Sequence, residues 1–165
     1  MSNNKPRIIA FYLPQFHPTP HNDEWYGKGF TEWTNVAKAK KLFWGHEQPH
    51  IPADLGFYDL RLPEVREEQA KLAKNAGIEG FCYYHYWFAP NEFELELPFN
   101  EVLRSGNPNF PFMFCWANET WQKKFWNIDG SIEKHDLRTQ TYGGFQDYKQ
   151  HFNDVLPAFK DNRYI

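Results

Sequence analysis

Cysteine is scarce in this chain of 165 residues: Cys82 and Cys115 are its only two, and each lies inside an apolar run. Two such thiols make neither a disulfide framework nor a paired zinc motif, which leaves them the role of buried free thiols. Phosphate-cradling glycine loops are missing as well. Neither G-x-G-x-x-G nor a Walker pattern occurs, and Gly27-Lys28-Gly29 and Gly143-Gly144 are too short to count, which argues against a dinucleotide-binding unit. No serine sits in an elbow motif suited to acyl transfer. No stretch approaches the roughly 18 apolar residues of a membrane span, and Met1-Ser2-Asn3-Asn4-Lys5-Pro6 carries no apolar signal core. A reducing cytoplasm is therefore the expected compartment. Basic runs are absent too. The net charge is −3 and the isoelectric point about 6.2, so neither nucleic acid nor an anionic membrane is an expected partner.

What the chain has in quantity is aromatic side chains, at 19% of its residues: Trp 7, Tyr 9 and Phe 16. Core packing accounts for most of the phenylalanines. Tryptophan and tyrosine beside polar residues ask for another explanation, because their polar edges need partners. The most telling stretch is Phe112-Met113-Phe114-Cys115-Trp116-Ala117-Asn118-Glu119-Thr120-Trp121. A continuous apolar run of this kind reads as a strand buried on both faces. Its carboxyl end, where parallel α/β proteins keep their chemistry, carries Asn118 and Glu119 between Trp116 and Trp121. Aromatic planes beside a carboxylate and an amide suit a sugar, which stacks its apolar face and hydrogen-bonds its hydroxyls. The plainer reading is a buried strand whose Asn and Glu cap the next element.

The remaining segments fit an alternating pattern. Residues 7–13 read as a first strand ending at Pro14, followed by a long segment rich in Pro, His, Trp and Gly that reaches about Gly56. Within it, residues 29–37 suit one short helix. Residues 62–75 predict a helix with Pro63 in its first turn and Gly77 ending it. Its stripe is Leu62, Val65, Gln69, Leu72, Ala73 and Ala76. A second strand is expected over 78–84 with His85-Tyr86-Trp87-Phe88 beyond its end. A helix over 98–105, the third strand over 112–116, a polar loop, and a helix over 144–160 bent by Pro157 complete the chain. The order strand, helix, strand, helix, strand, helix implies parallel strands with right-handed crossovers. Such units cannot close an eight-stranded barrel. The expected fold class is therefore α/β, the N-terminal part of a (β/α)8 TIM-type barrel with long strand-to-helix loops, truncated at its carboxyl end. The whole chain, 1–165, is expected to be that portion of one domain.

Several rim positions are candidates for binding. Gln15, His17 and His21 follow the first strand. His-x-Pro-x-Pro-His lacks a cysteine or carboxylate partner at familiar metal-ligand spacing, so neither a metal nor a cofactor is expected. Glu32 and Asn35 share one side of a helical turn beside Trp33. They are either acceptors for sugar hydroxyls, or solvent-facing residues behind the N-cap Thr31. His50 and Asp54 form either a base with its orienter or a hydrogen-bonded loop. His85, Tyr86 and Trp87 end the second strand and are expected to line one pocket with Asn118 and Glu119. There, desolvation by tryptophan would raise a carboxylate toward general-acid use. Glycosidic chemistry usually needs a pair of carboxylates. Glu119 is the first, with Glu32 and Asp54 as possible partners.

Taken together, residues 8–18 (Ile-Ile-Ala-Phe-Tyr-Leu-Pro-Gln-Phe-His-Pro), Gly29-Phe30-Thr31-Glu32-Trp33-Thr34-Asn35-Val36, residues 48–61, Gly80 to Phe88 and Cys115-Trp116-Ala117-Asn118-Glu119 resemble the WbsX-type glycosyltransferases of bacterial polysaccharide and lipopolysaccharide O-antigen clusters. That family is similar in turn, more distantly, to glycoside hydrolase family 99, which acts on α-mannosidic linkages with a (β/α)8 barrel. The resemblance implies a carbohydrate-active enzyme acting at glycosidic bonds in cell-surface polysaccharide metabolism. Its substrate would be an oligo- or polysaccharide, and the rest of the barrel or a second chain would complete the fold. It matches Trp87 and Glu119 to the family 99 pocket and implies that the principal carboxylates lie on later strands. Glu119 is then a catalytic or assisting residue, and Trp87, Trp116 and Trp121 are candidate platforms. The alternatives are an endo-glycosidase and a non-catalytic glycan-binding fragment.

Overall fold

A computed structural model describes residues 6–127 and 129–165. In chain order its elements are β1 (Ile9–Tyr12), α1 (Pro20–Tyr26), α2 (Glu32–Lys38), α3 (Pro63–Asn75), β2 (Gly80–Ala89), β3 (Glu92–Glu94), α4 (Leu97–Ser105), β4 (Phe112–Trp116), β5 (Trp121–Trp126), β6 (Ile132–Arg138) and α5 (Phe145–Phe159). The predicted strands pair as parallel neighbours with β2 in the middle. Phe11 lies level with Cys82 on one side of β2, and Tyr83 with Phe114 on the other. Gly80 starts β2 where it does because a Cβ there would sit 2.6 Å from the carbonyl oxygen of Pro111. Only glycine lets the two backbones come so close.

One face of this sheet carries the core. Tyr12, Phe81, Tyr83 and Phe112 pack there with Ala70 and Ala73 of α3, Phe99 of α4 and Ala158 of α5. The α3 stripe is turned slightly from the expected one. Leu62 and Leu72 are 51% and 44% exposed, while Arg66, Ala70 and Ala73 are buried. The physical reason is that Arg66 has a use inside: its Nη1 donates to the carbonyl of Leu60 at 2.6 Å, and hydrophobicity alone does not register that bond. Gln69, the odd polar member of the stripe, accepts from the Tyr12 hydroxyl at 2.6 Å.

Three expectations need correction. The second strand does not stop at 84. It runs on to Ala89 and folds back antiparallel through β3, with Trp87 opposite Phe93. The polar loop after β4 is a hairpin, β5 and β6, paired from Trp121–Arg138 to Trp126–Ile132. Both of its faces are largely polar, so no apolar alternation marked it. Helix α1 was not foreseen, although Thr19 caps it by accepting from the Asn22 N–H at 3.1 Å and Pro20 occupies its first turn.

The architecture is mixed α/β and open. Among the described residues the four-stranded sheet does not close into a barrel. Beyond α5 the chain comes back beside β4, where Tyr164 bridges Phe112 in parallel. No described helix is long and apolar enough to cross a membrane. Cys82 and Cys115 are both free, but only Cys82 is fully buried.

Candidate functional site

Side chains alternate across a strand, and that rule sorts the candidates along β2. Phe81, Tyr83, His85 and Trp87 face the helices, whereas Cys82, Tyr84, Tyr86 and Phe88 face away. The rings agree: Tyr83 meets Phe99 of α4, and Tyr84 stacks on Phe11 at 5.4 Å. His85, Tyr86 and Trp87 belong to the strand rather than to a loop, and their side chains divide between its faces.

On the face away from the helices, a concavity of about 480 Å³ opens at the carboxyl ends of β2 and β4. Leu13, Tyr84, Tyr86, Cys115, Asn118 and Glu119 are among its lining residues. Two short turns place the polar pair: the Asn118 N–H donates to Trp116 O at 2.9 Å and the Glu119 N–H to Ala117 O at 3.0 Å. Both side chains end up exposed, so the burial expected around Glu119 is absent. A second concavity, about 240 Å³, lies on the hairpin side of Glu119 and is lined by Tyr86, Glu119, Thr120, Trp121, Gln122 and Lys124. Glu119 and Tyr86 are common to both.

Tyr86 is the hub. Its ring stacks on Trp121 at 5.1 Å with 21° between planes. Its hydroxyl is pushed up to about 12, by burial first and then by Tyr84 and by the negative charges of Glu119 and Glu32. A tyrosine so placed stays protonated and donates a hydrogen bond. The charge of Glu32, at the start of α2, is thus felt at the Tyr86 hydroxyl, although Glu32 lines neither concavity. A capping box holds that helix start: Thr31 Oγ accepts from the Trp33 N–H at 3.3 Å. Outside the rim, Thr120 Oγ accepts from the Gln140 N–H at 3.1 Å, and the Tyr142 hydroxyl donates to Asn118 O at 3.2 Å.

Other expected site residues are employed elsewhere. Trp87 is fully buried, with His151 of α5 stacked on it at 4.3 Å and 4°. It has no open face to offer a sugar. Trp116 does line the larger concavity, but its indole N–H is given to Trp87 O at 3.1 Å and its ring is edge-on to Trp87 and His151. His85 shares a 2.8 Å contact with His151 Nε2, and burial lowers it from 6.5 to about 4, with His151 adding to the shift. Trp33 cements the long loop, donating to Tyr58 O at 2.9 Å and packing against Phe16 and Phe57. Asn35 is exposed and reaches Glu32 at 3.4 Å. Gln15 and His17 are buried, and burial lowers the imidazole of His17. His50 and Asp54 are exposed, and among the described residues no hydrogen bond joins them. The structure thus gathers Tyr86, Trp116, Asn118, Glu119 and Trp121 around the two concavities and disperses the rest. It adds Tyr84, Gln122 and Lys124, of which Tyr84 was legible from strand alternation once the strand's true length was known.

A buried charge cluster fixes the frame of this rim. Glu94 of β3 is 4% exposed and is held at 2.6 Å by both Arg138 Nη2 of β6 and His21 Nδ1 of α1. It ties the hairpin and α1 to the extended β2. Among the described residues no group of three or more His, Cys, Asp or Glu could hold a metal ion.

The sequence from residue 8 to residue 165 matches the family described as Glycosyltransferase WbsX. The chain belongs to that family. Two relatives from Xanthomonas campestris pv. campestris, each described as uncharacterized protein WxcX and one of them from strain B100, are 53% identical to this WbsX-family chain over 118 residues. The match covers 72% of the chain and 17% of each relative, so the chain spans a small part of their length. No solved structure matches this WbsX-family chain.

Proposed function

We propose that this WbsX-family chain is the N-terminal part of a (β/α)8-type domain that transfers sugar in the synthesis of bacterial cell-surface polysaccharide, lipopolysaccharide O-antigen among them. The observation that carries the reading is the placement of Glu119 with Tyr86 and Trp121 at the carboxyl ends of parallel strands, where such domains keep their chemistry. Support for the larger domain comes from the sheet. Helices pack on one face only, and Tyr164 bridges β4 in parallel. The reading puts the protein in the cytoplasm, where activated sugar donors are made.

In this reading, sugar rings lie against Tyr86 and Trp121, and Asn118 and Glu119 take their hydroxyls. Glu119 accepts the proton of an acceptor hydroxyl as that oxygen bonds to the anomeric carbon, and the bond from that carbon to the donor's phosphate oxygen breaks, the nucleoside diphosphate leaving with the bonding electrons. Glu32 stands by as the second carboxylate. The test is glycosyl transfer by the longer protein containing this chain, from a nucleotide-sugar donor to an oligosaccharide acceptor. Glu119→Gln should lower turnover by about 10² to 10⁴ with an unchanged melting temperature, because the side chain is exposed. Turnover unaltered by Glu119→Gln removes the residue from the chemistry. Donor-independent cleavage of an α-mannan would instead mark a hydrolase, and glycan binding without turnover would mark a binding module.

A further inference from the structure

The connection from β1 to α3 pushes three large apolar side chains into solvent at one place. Beyond α2 the chain turns at Leu42-Phe43-Trp44-Gly45-His46, where Trp44 is 100% and Leu42 83% exposed, with Phe43 exposed between them. The turn is held in shape. The Leu42 N–H donates to His46 Nδ1 at 3.1 Å, and the His46 N–H donates to Phe43 O at 3.2 Å. The Phe43 ring stacks on the imidazole at 4.7 Å with 11° between planes. Gly45 takes a φ of +83°, which glycine adopts without strain. A turn tied in this way presents its side chains with little further ordering to be done on binding.

Cations stand beside this tip. Lys38 closes α2, and Lys40 and Lys41 lead into the turn. All three are exposed, and among the described residues none makes an ion pair. Residues 38–47 hold three lysines against one carboxylate, Glu47, an excess of two positive charges. The acid of α2, Glu32, sits at the opposite end of that helix. The net charge of −3, from which no membrane partner is expected, conceals this local excess. Other exposed aromatic side chains lie on element faces, Phe11 on β1 and Phe145 and Phe152 on α5, and a further strand or helix can cover a face. A single turn tip with lysines at its base matches a bilayer instead. The interfacial region takes tryptophan, phenylalanine and leucine, and anionic headgroups take the ammonium groups.

We infer that this turn is a membrane-docking wedge. Leu42, Phe43 and Trp44 enter the interfacial region of a bilayer that contains anionic lipid, while Lys38, Lys40 and Lys41 meet its headgroups. The contact is one of lying on the bilayer surface, not of spanning it. The connection leaves the sheet at the carboxyl end of β1, the end that carries Glu119, so docking turns that rim toward the membrane. The inference stands apart from the carbohydrate reading and does not depend on it.

Co-sedimentation of the longer protein containing this chain with lipid vesicles tests it. The vesicles are phosphatidylcholine alone and phosphatidylcholine with about one third phosphatidylglycerol. The wild type should partition to the mixed vesicles, more at low salt than at high, and only weakly to phosphatidylcholine. Lys40→Gln/Lys41→Gln should weaken binding to the mixed vesicles by about 30-fold, from roughly a factor of five per lysine. Leu42→Ser/Trp44→Ser should weaken it by about tenfold or more. Without vesicles both variants should keep the wild-type melting temperature, because the substituted side chains are exposed. Weakening in both variants supports the wedge, whereas weakening in neither or in only one overturns it. Absence of binding by the wild type, or equal binding to the two kinds of vesicle, overturns it as well. A Leu42→Ser/Trp44→Ser variant that melts lower, or that is monomeric where the wild type is dimeric, would show the tip covered by protein and overturn it too.

Discussion

His85 and Tyr86 are neighbours whose protonation is set in opposite senses by the same cause. Burial disfavours the charged form of each, so the imidazole falls to about 4 and the phenol climbs to about 12. The folded protein therefore keeps His85 neutral, with one proton shared across the 2.8 Å contact to His151. The unfolded chain takes up a proton on this residue near its ordinary 6.5. Between that value and about 4 the unfolded state binds more protons, so stability falls as the pH drops through the window and is complete above it. Urea midpoints measured from pH 7 to pH 4 should decline more steeply for the wild type than for His85→Phe. Parallel curves would show that the pair has no part in acid sensitivity. At this scale the sequence was a fair guide to residue type and a poor guide to direction. Tyr86, Asn118, Glu119 and Trp121 meet as the motif chemistry suggests. Trp87 and His85 do not join them, since a strand longer by a few residues sends every second side chain to the other face.

Elements that stand on their own periodicity were readable: β1, β4 and helices α3, α4 and α5 lie close to their expected bounds, whereas β2 was found but runs on to Ala89. The hairpin β5–β6 was not, because a two-stranded ribbon with polar side chains on both faces has no apolar pattern to show. Its position depends on tertiary contacts, chiefly the clasp of Glu94 by Arg138 and His21. Glu94→Gln should cost about 2–3 kcal/mol, below the roughly 3–5 kcal/mol of a fully buried broken pair, because Arg138 keeps 22% of its side-chain surface in solvent. The hairpin should then loosen before the sheet does. Limited proteolysis would show this as early cleavage within 121–138 in the variant. Cleavage at equal rates in both proteins would mean that the Trp25–Trp121 contact alone holds the ribbon.

Over the whole molecule, the apolar surface is unevenly covered. Phe11 on the open face of the sheet is 67% exposed, and Phe145 and Phe152 on α5 are 75% and 52% exposed. Surfaces of this kind in a soluble domain mark places where something packs. Produced as an isolated piece, residues 1–165 should bind a hydrophobic dye strongly and associate as concentration rises. Completed into the proposed (β/α)8-type domain, the same residues should do neither. A dye-silent monomeric piece would show that these rings are tolerated in water. The barrel expectation drew on strand and helix order, which a few parallel units satisfy equally well in an open sheet, and that is why sequence order alone left closure undetermined.

Arg163 bears on when the sheet becomes safe. Its guanidinium donates to Pro108 O at 3.0 Å and Val102 O at 3.2 Å, pairs with Asp161 at 2.7 Å and lies over the Phe112 ring. Beside it, the backbone of Arg163 and Ile165 hydrogen-bonds to Phe112. A ribosome makes β4 some fifty residues before it makes this clasp, and for that interval the backbone edge of β4 near Phe112 stays bare and able to pair with another nascent chain. Slowing synthesis between β4 and residue 165 should therefore lengthen the time for which the chain depends on chaperones, whereas slowing it before β4 should not.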